Sequence, residues 1–133
     1  VDKTTEMVNK IFYYDTKSNR LIWLDSGSSP KSPSSSISVR VVDMHTIKPL
    51  DRDIVINSAK ETGAIVTCEE ASVIGGLGGA VSELLSETVP TPVIRVGVED
   101  KFGTSGPAGE VLKKFGLCPE NIVEKAKKAI ELK

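Results

Sequence analysis

Apolar positions recur along this chain with two different periods, and the alternation between them predicts the fold. The runs SVRVVDM, AIVTCEE and VIRVGV are short and β-branched, which predicts three buried strands. Between the second and third, Leu77, Ala80, Val81, Leu84 and Leu85 lie three and four positions apart, so they form one apolar face of a helix. Pro90 and Pro92 punctuate its end. Asp51 stands where it can N-cap a helix over roughly residues 52 to 62, and Gly63 follows as a left-handed cap. Pro49 discourages a helix before that point. A further helix is predicted over Glu110 to Phe115, closed by Gly116. Pro119 opens the last helix at a first-turn position, with Glu120 near its positive end and an apolar stripe of Ile122, Val123, Ala126 and Ile130.

Strand, helix, strand, helix, strand with short connections implies parallel pairing and right-handed crossovers. The expected fold is a three-layer α/β/α domain around a mostly parallel sheet of four or five strands. Ligands of such sheets sit beyond the carboxyl ends of the strands. Here those ends are Asp43 to His45, Glu69 to Ser72 and Glu99 to Lys101.

The first 36 residues read differently. IFYYD and RLIWLD flank a polar tip at Thr16 to Asn19 and suggest a β-hairpin. Asp2 to Lys10 reads as a short helix or an unstructured lead, and SGSSPKSPSSS from Ser26 to Ser36 as a linker. The expected organisation is therefore a hairpin and Ser/Pro-rich linker over 1–36 and an α/β domain over 37–133.

Composition narrows the function classes without choosing one. With 133 residues the chain suits one domain whose core needs neither disulfides nor metals. A formal net charge of -1 gives no bulk attraction for nucleic acid or anionic membrane, and no apolar run approaches the length of a membrane span. The N-terminus lacks a signal-peptide pattern, so a cytoplasmic location is expected. Cys68 and Cys118 read as two free thiols. The first belongs in a buried strand; the second sits at a helix start where Ser or Thr would commonly cap.

The candidate chemistry centres on Gly75, Gly76, Gly78 and Gly79, which follow a strand and open a helix. Gly76-Leu77-Gly78 matches the start of a dinucleotide fingerprint, and Glu99 lies near the distance of a ribose-binding acid. The third glycine is missing, and Ala71 to Gly75 separate the strand end from the motif. With no Gly-Lys-Ser/Thr, a P-loop is excluded. The better reading is a helix start that packs closely on the sheet or on another chain, with anion binding at free N–H groups as the alternative. Glu69 and Glu70 point to opposite faces of a strand and cannot form an acid/base pair, though one of them can hold a backbone N–H of the glycine loop. His45 is the single histidine, which rules out His-cluster zinc sites and favours a hydrogen-bonded structural role. The loop Glu99 to Gly106 is polar and suits a ligand or subunit contact. No catalytic, cofactor-binding or metal-ligating set emerges.

The ordered set RVVDMHTIKPLD, TGAIVTCEE, GGLGGAVSELL, VGVEDKFGTSG and KKFGLCPENIVEKAKKAIE resembles the C-terminal domain of transketolase, from Ile37 almost to the end. Deoxyxylulose-phosphate synthases and the β subunits of 2-oxo acid dehydrogenases share this domain type. The MHTIKPLD wording and the D-x-F-G-x-S-G segment favour transketolase. The resemblance implies a parent enzyme that uses thiamine diphosphate and a divalent metal, both held by other domains and across a dimer interface. It implies a C-terminal domain that supplies assembly or regulation, and an isolated chain that is inactive. The alternatives are an anion- or nucleotide-binding regulatory module, or the corresponding part of either sister enzyme. Two departures stand out. Ala71 replaces the family's His after the paired acids, and Asp2 to Ser36 lacks the expected opening strand, glycine turn and helix. The sheet edge left by that loss is expected to be filled by the Ile11 to Leu24 region or by a partner chain.

Overall fold

A computed structural model describes residues 10–15 and 38–133. Strands β1 (Lys10–Asp15) and β2 (Ser38–Asp43) precede helix α1 (Arg52–Thr62), strand β3 (Ile65–Ser72), helix α2 (Leu77–Glu87) and strand β4 (Val93–Val98). Helices α3 (Ala108–Lys114) and α4 (Pro119–Glu131) close the chain. The sheet order is β2-β1-β3-β4. β3 and β4 pair parallel, with Ile65 opposite Val93. β1 runs antiparallel to both of its neighbours, with Lys10 opposite Asp43 of β2 and Cys68 of β3. β2, β3 and β4 therefore run in one direction, and the expected α/β class with a mostly co-directional sheet holds.

The position of β1 differs from the expectation of a strand added at an edge. It lies inside the sheet and closes the gap between β2 and β3. A strand there has both rows of backbone groups paired, which an edge strand does not. Of the expected hairpin, its second half, RLIWLD, and the linker lie outside the described residues, as does Asp2 to Asn9.

Two cores cover the two faces of the sheet. On one, Ile65 of β3 and Val42 of β2 pack with Val55 and Ala59 of α1 and with Leu77, Val81, Leu84 and Leu85 of α2. On the other, Val66 and Cys68 of β3 and Val96 of β4 meet Ile122, Ala126 and Ala129 of α4. Alternate residues of β3 thus serve opposite cores, as its pleat requires. The helix bounds follow their caps. Asp51 accepts a hydrogen bond from Ile54 N at 3.1 Å at the start of α1, and Gly63 ends it with φ of 69°.

Candidate functional site

The strand–helix junction β3–α2 gathers the residues singled out in the sequence. Thr67 and Glu69 face the α2 side of β3, the same face as Ile65. β3 then departs from regular pairing. Cys68 is opposite Val96, but Ser72 is opposite Val98, so β3 carries extra residues between these pairs. Such a bulge bends a strand and re-aims its side chains. It is accommodated by Gly97 of β4. A Cβ there would lie 2.9 Å from the Ala71 carbonyl oxygen and 3.1 Å from Cγ of Glu69.

Glu69, next to the start of the bulge, keeps the face that regular alternation gives it. It is 1% exposed, and both its carboxylate oxygens accept backbone N–H groups of α2: Oε2 from Leu77 at 2.7 Å and Oε1 from Gly78 at 2.9 Å. The first N–H groups of any helix lack partners within the helix. The N-cap of α2 is Gly76, which has no side chain to offer. Glu69 supplies the cap from the preceding strand, and its negative charge sits at the positive end of the helix. Gly76 is what lets it approach, because a Cβ on Gly76 would run into Oε2 of Glu69 and lie 2.7 Å from the Ser72 carbonyl oxygen. Gly78 likewise leaves room for Thr67 and for the Arg95 stem, 2.6 to 2.8 Å from where its Cβ would stand. The Thr67 hydroxyl, fully buried beside it, has no hydrogen-bond partner among the described residues.

Gly75 and Gly79 differ from these two. Nothing lies within 4 Å of a Cβ built on either, so the space beside them is open. Gly75 has φ of 76°. Next to it, Ile74 is 62% exposed, and Phe102 in the loop after β4 is fully exposed. Two large apolar side chains thus stand in solvent on the loops that leave the carboxyl ends of β3 and β4.

The remaining candidates separate from this junction. Glu70 is exposed, so the two acids do point to opposite faces. Burial, reinforced by the neighbouring Glu69 carboxylate, pushes the Cys68 thiol well above the ordinary cysteine range. Cys118 is the N-cap of α4 but makes no side-chain cap bond to the helix backbone. The Glu120 carboxyl is held below the usual range by its own backbone N–H in the first turn, then by Cys118 and the Lys113 charge. His45 is exposed, and no hydrogen bond to its ring is found among the described residues, in contrast to the structural role expected for it. No group of three or more His, Cys, Asp or Glu side chains is placed to hold a metal ion among the described residues. No helix among them is long and apolar enough to cross a membrane. Sequence reasoning missed Gly97, although a lone glycine inside the strand VIRVGV signals a bulge or a close backbone approach.

Fold and junction define an α/β domain that caps its own glycine-opened helix and leaves apolar loops in solvent at one end of the sheet. Residues 31–122 match the family model for the transketolase C-terminal domain, and the chain belongs to that family. It is 48% identical over 97 residues to a 6-deoxy-6-sulfo-D-fructose transketolase subunit of Clostridium sp. (strain MSTE9), covering 73% of this chain and 30% of that protein. A putative transketolase C-terminal section of Methanocaldococcus jannaschii is 44% identical over 92 residues, covering 68% of this chain and 28% of the relative. A 1-deoxy-D-xylulose-5-phosphate synthase of Symbiobacterium thermophilum is 39% identical over 92 residues, which is 68% of this chain and 14% of that enzyme. Among solved structures, a split-gene transketolase described as an inactive β4 tetramer superposes with a TM-score of 0.66 at 49% identity, covering 74% of this chain and 31% of that one. The chain thus spans less than a third of the length of these relatives.

Proposed function

We propose that this chain is the C-terminal, non-catalytic part of a thiamine-diphosphate-dependent transketolase, a transferase that moves a two-carbon ketol unit between sugar phosphates. In this reading it works in the cytoplasm, in the pentose phosphate pathway, within a homodimer. Residues 37–133 are the family domain and residues 1–36 a divergent hairpin and linker. Its partners are the thiamine-binding domains of the parent enzyme, which hold the cofactor and a divalent metal.

The observation that carries this reading is the Glu69 cap. A diphosphate needs free N–H groups at a helix start. At α2 those of Leu77 and Gly78 are already bonded to a buried carboxylate. The glycine loop therefore does not fit thiamine diphosphate, and no catalytic step is assigned to it. What the loop offers is open space at Gly75 and Gly79 beside exposed Ile74. Exposed apolar side chains beside glycines suit contact with another protein surface. We assign Gly75, Gly76, Gly78 and Gly79 to an assembly loop, the inner pair shaping it and the outer pair presenting it.

Two measurements test the proposal. The isolated chain should show no ketol transfer with thiamine diphosphate and magnesium, while the thiamine-binding portion should become active on addition of this chain. Turnover by the chain alone would reject it. Gly79→Leu should leave the isolated chain folded, because its Cβ meets open space, yet weaken association with that portion. Unchanged association would remove the loop from the interface.

A further inference from the structure

A second region adjoins the Glu69 junction through Arg95 and Gly97 and extends from there to α4. β4 is the outer strand of the sheet, and along it a cavity of about 400 Å³ opens between Arg95 to Gly97, the loop after β4, the end of α3 and the face of α4. Four cations line it, Arg95, Lys101, Lys114 and Lys125, against the single carboxylate of Glu99. The whole chain carries a formal net charge of -1, so this concentration of positive charge is local. The four cations come from β4, the following loop, α3 and α4, so the tertiary structure rather than a basic run in the sequence assembles them.

Three of the four are positioned by contacts of their own. Arg95 Nη1 donates to the Val73 carbonyl at 2.8 Å, which leaves its other N–H groups available. Lys101 meets Glu99 at 3.2 Å and Lys114 reaches Thr104 Oγ1 at 3.5 Å, both at the exposed rim. Lys125 is half-buried on α4 and forms no ion pair among the described residues. Part of the floor is Gly97 and Gly116, which add no side chains to the space. Asn121 borders it with its amide turned to the Gly116 carbonyl at 2.8 Å. Side chains already held in place lose less freedom when a ligand arrives.

We propose that this cleft binds a small phosphorylated molecule carrying at least two negative charges. A few hundred Å³ is the scale of a small-molecule site, and several cationic side chains lining one cleft suit phosphate oxygens. The site touches the glycine loop through Arg95, but the proposal does not depend on the identity of the parent enzyme.

Inorganic pyrophosphate is the probe, titrated into the full chain by calorimetry and by amide NMR. Binding should be sub-millimolar, should weaken as salt rises, and should shift the amides of Gly97 and Gly116. The double variant Lys114→Gln/Lys125→Gln should weaken binding by about tenfold or more with an unchanged circular dichroism spectrum. Lys60→Gln, on α1 and away from the cleft, should bind as the parent chain does. Three results would overturn the proposal: no binding tighter than about one millimolar; shifts centred on Leu77 and Gly78; or equal weakening by Lys60→Gln. Tighter binding of an acidic peptide than of pyrophosphate would assign the cleft to a protein partner instead.

Discussion

Helices α1 and α2 pack side by side on the same face of the sheet, yet their starts are stabilised in opposite ways. α1 is capped by Asp51, the residue immediately before it, through a bond to Ile54 N. α2 begins at a glycine and is capped by Glu69, eight and nine residues upstream on another element, through two buried bonds. The first cap is exposed, local and replaceable. The second is buried, sits beside a bulge in β3, and depends on the missing Cβ atoms of Gly76 and Gly97. A helix opened by glycines can thus have two of its first N–H groups engaged by a buried carboxylate, so a glycine-rich turn before a helix does not by itself mark an anion site.

The contrast can be broken by substitution. Glu69→Ala should be the most damaging change, costing about 4 kcal/mol in denaturant unfolding, because two buried N–H groups lose their partners at about 1–3 kcal/mol each. Gly76→Ala should cost about 2–3 kcal/mol, the scale of an overpacked core, by displacing the same carboxylate. Neither loss would be expected if α2 were held mainly by its apolar face.

The buried strand adds a pH test. The Cys68 thiol keeps its proton in the folded state at pH values where the unfolded chain would release it. Stability from this group is therefore complete below the ordinary cysteine pKa of 9.0 and falls above it. The slope should reach about 1.4 kcal/mol per pH unit, and Cys68→Ala should remove that component. Cys118, by contrast, should react with a thiol reagent in the native state.

Asp51→Ala should cost only about 1 kcal/mol, as for other exposed N-caps. A cost equal to that of Glu69→Ala would erase the distinction between the two helix starts. Gly79→Ala should be the mildest change, neutral or stabilising by up to about 1 kcal/mol in the isolated chain, since a helical alanine there meets open space.

Legibility in the sequence followed the range of each interaction. Asp51, Gly63, Pro119 and the apolar stripe of α2 announced their elements because a helix cap and a helix face are written within a few residues. The opposed directions of Glu69 and Glu70 were readable from strand period alone. That one of them could hold the glycine loop was also readable, but which one, and with both oxygens, depended on which face of β3 carries α2 and on the room left by Gly76 and Gly97. The place of β1 was not readable, because a short β-branched run does not state which neighbours it will pair with. His45 looked structural by type and lies exposed. The cationic cleft was invisible, since its members are scattered over thirty positions of chain.

The sequence by itself determined the order and type of the elements from β2 to α4 and the family to which the chain belongs. Hydrophobic period, caps and motif order are properties of neighbours along the chain, and no folding is needed to see them. Only the tertiary structure decided where β1 is inserted, that Glu69 occupies the start of α2, and that four separated cations share one cleft. Those outcomes depend on contacts between strands and on the volume left by absent side chains, and local residue order constrains neither.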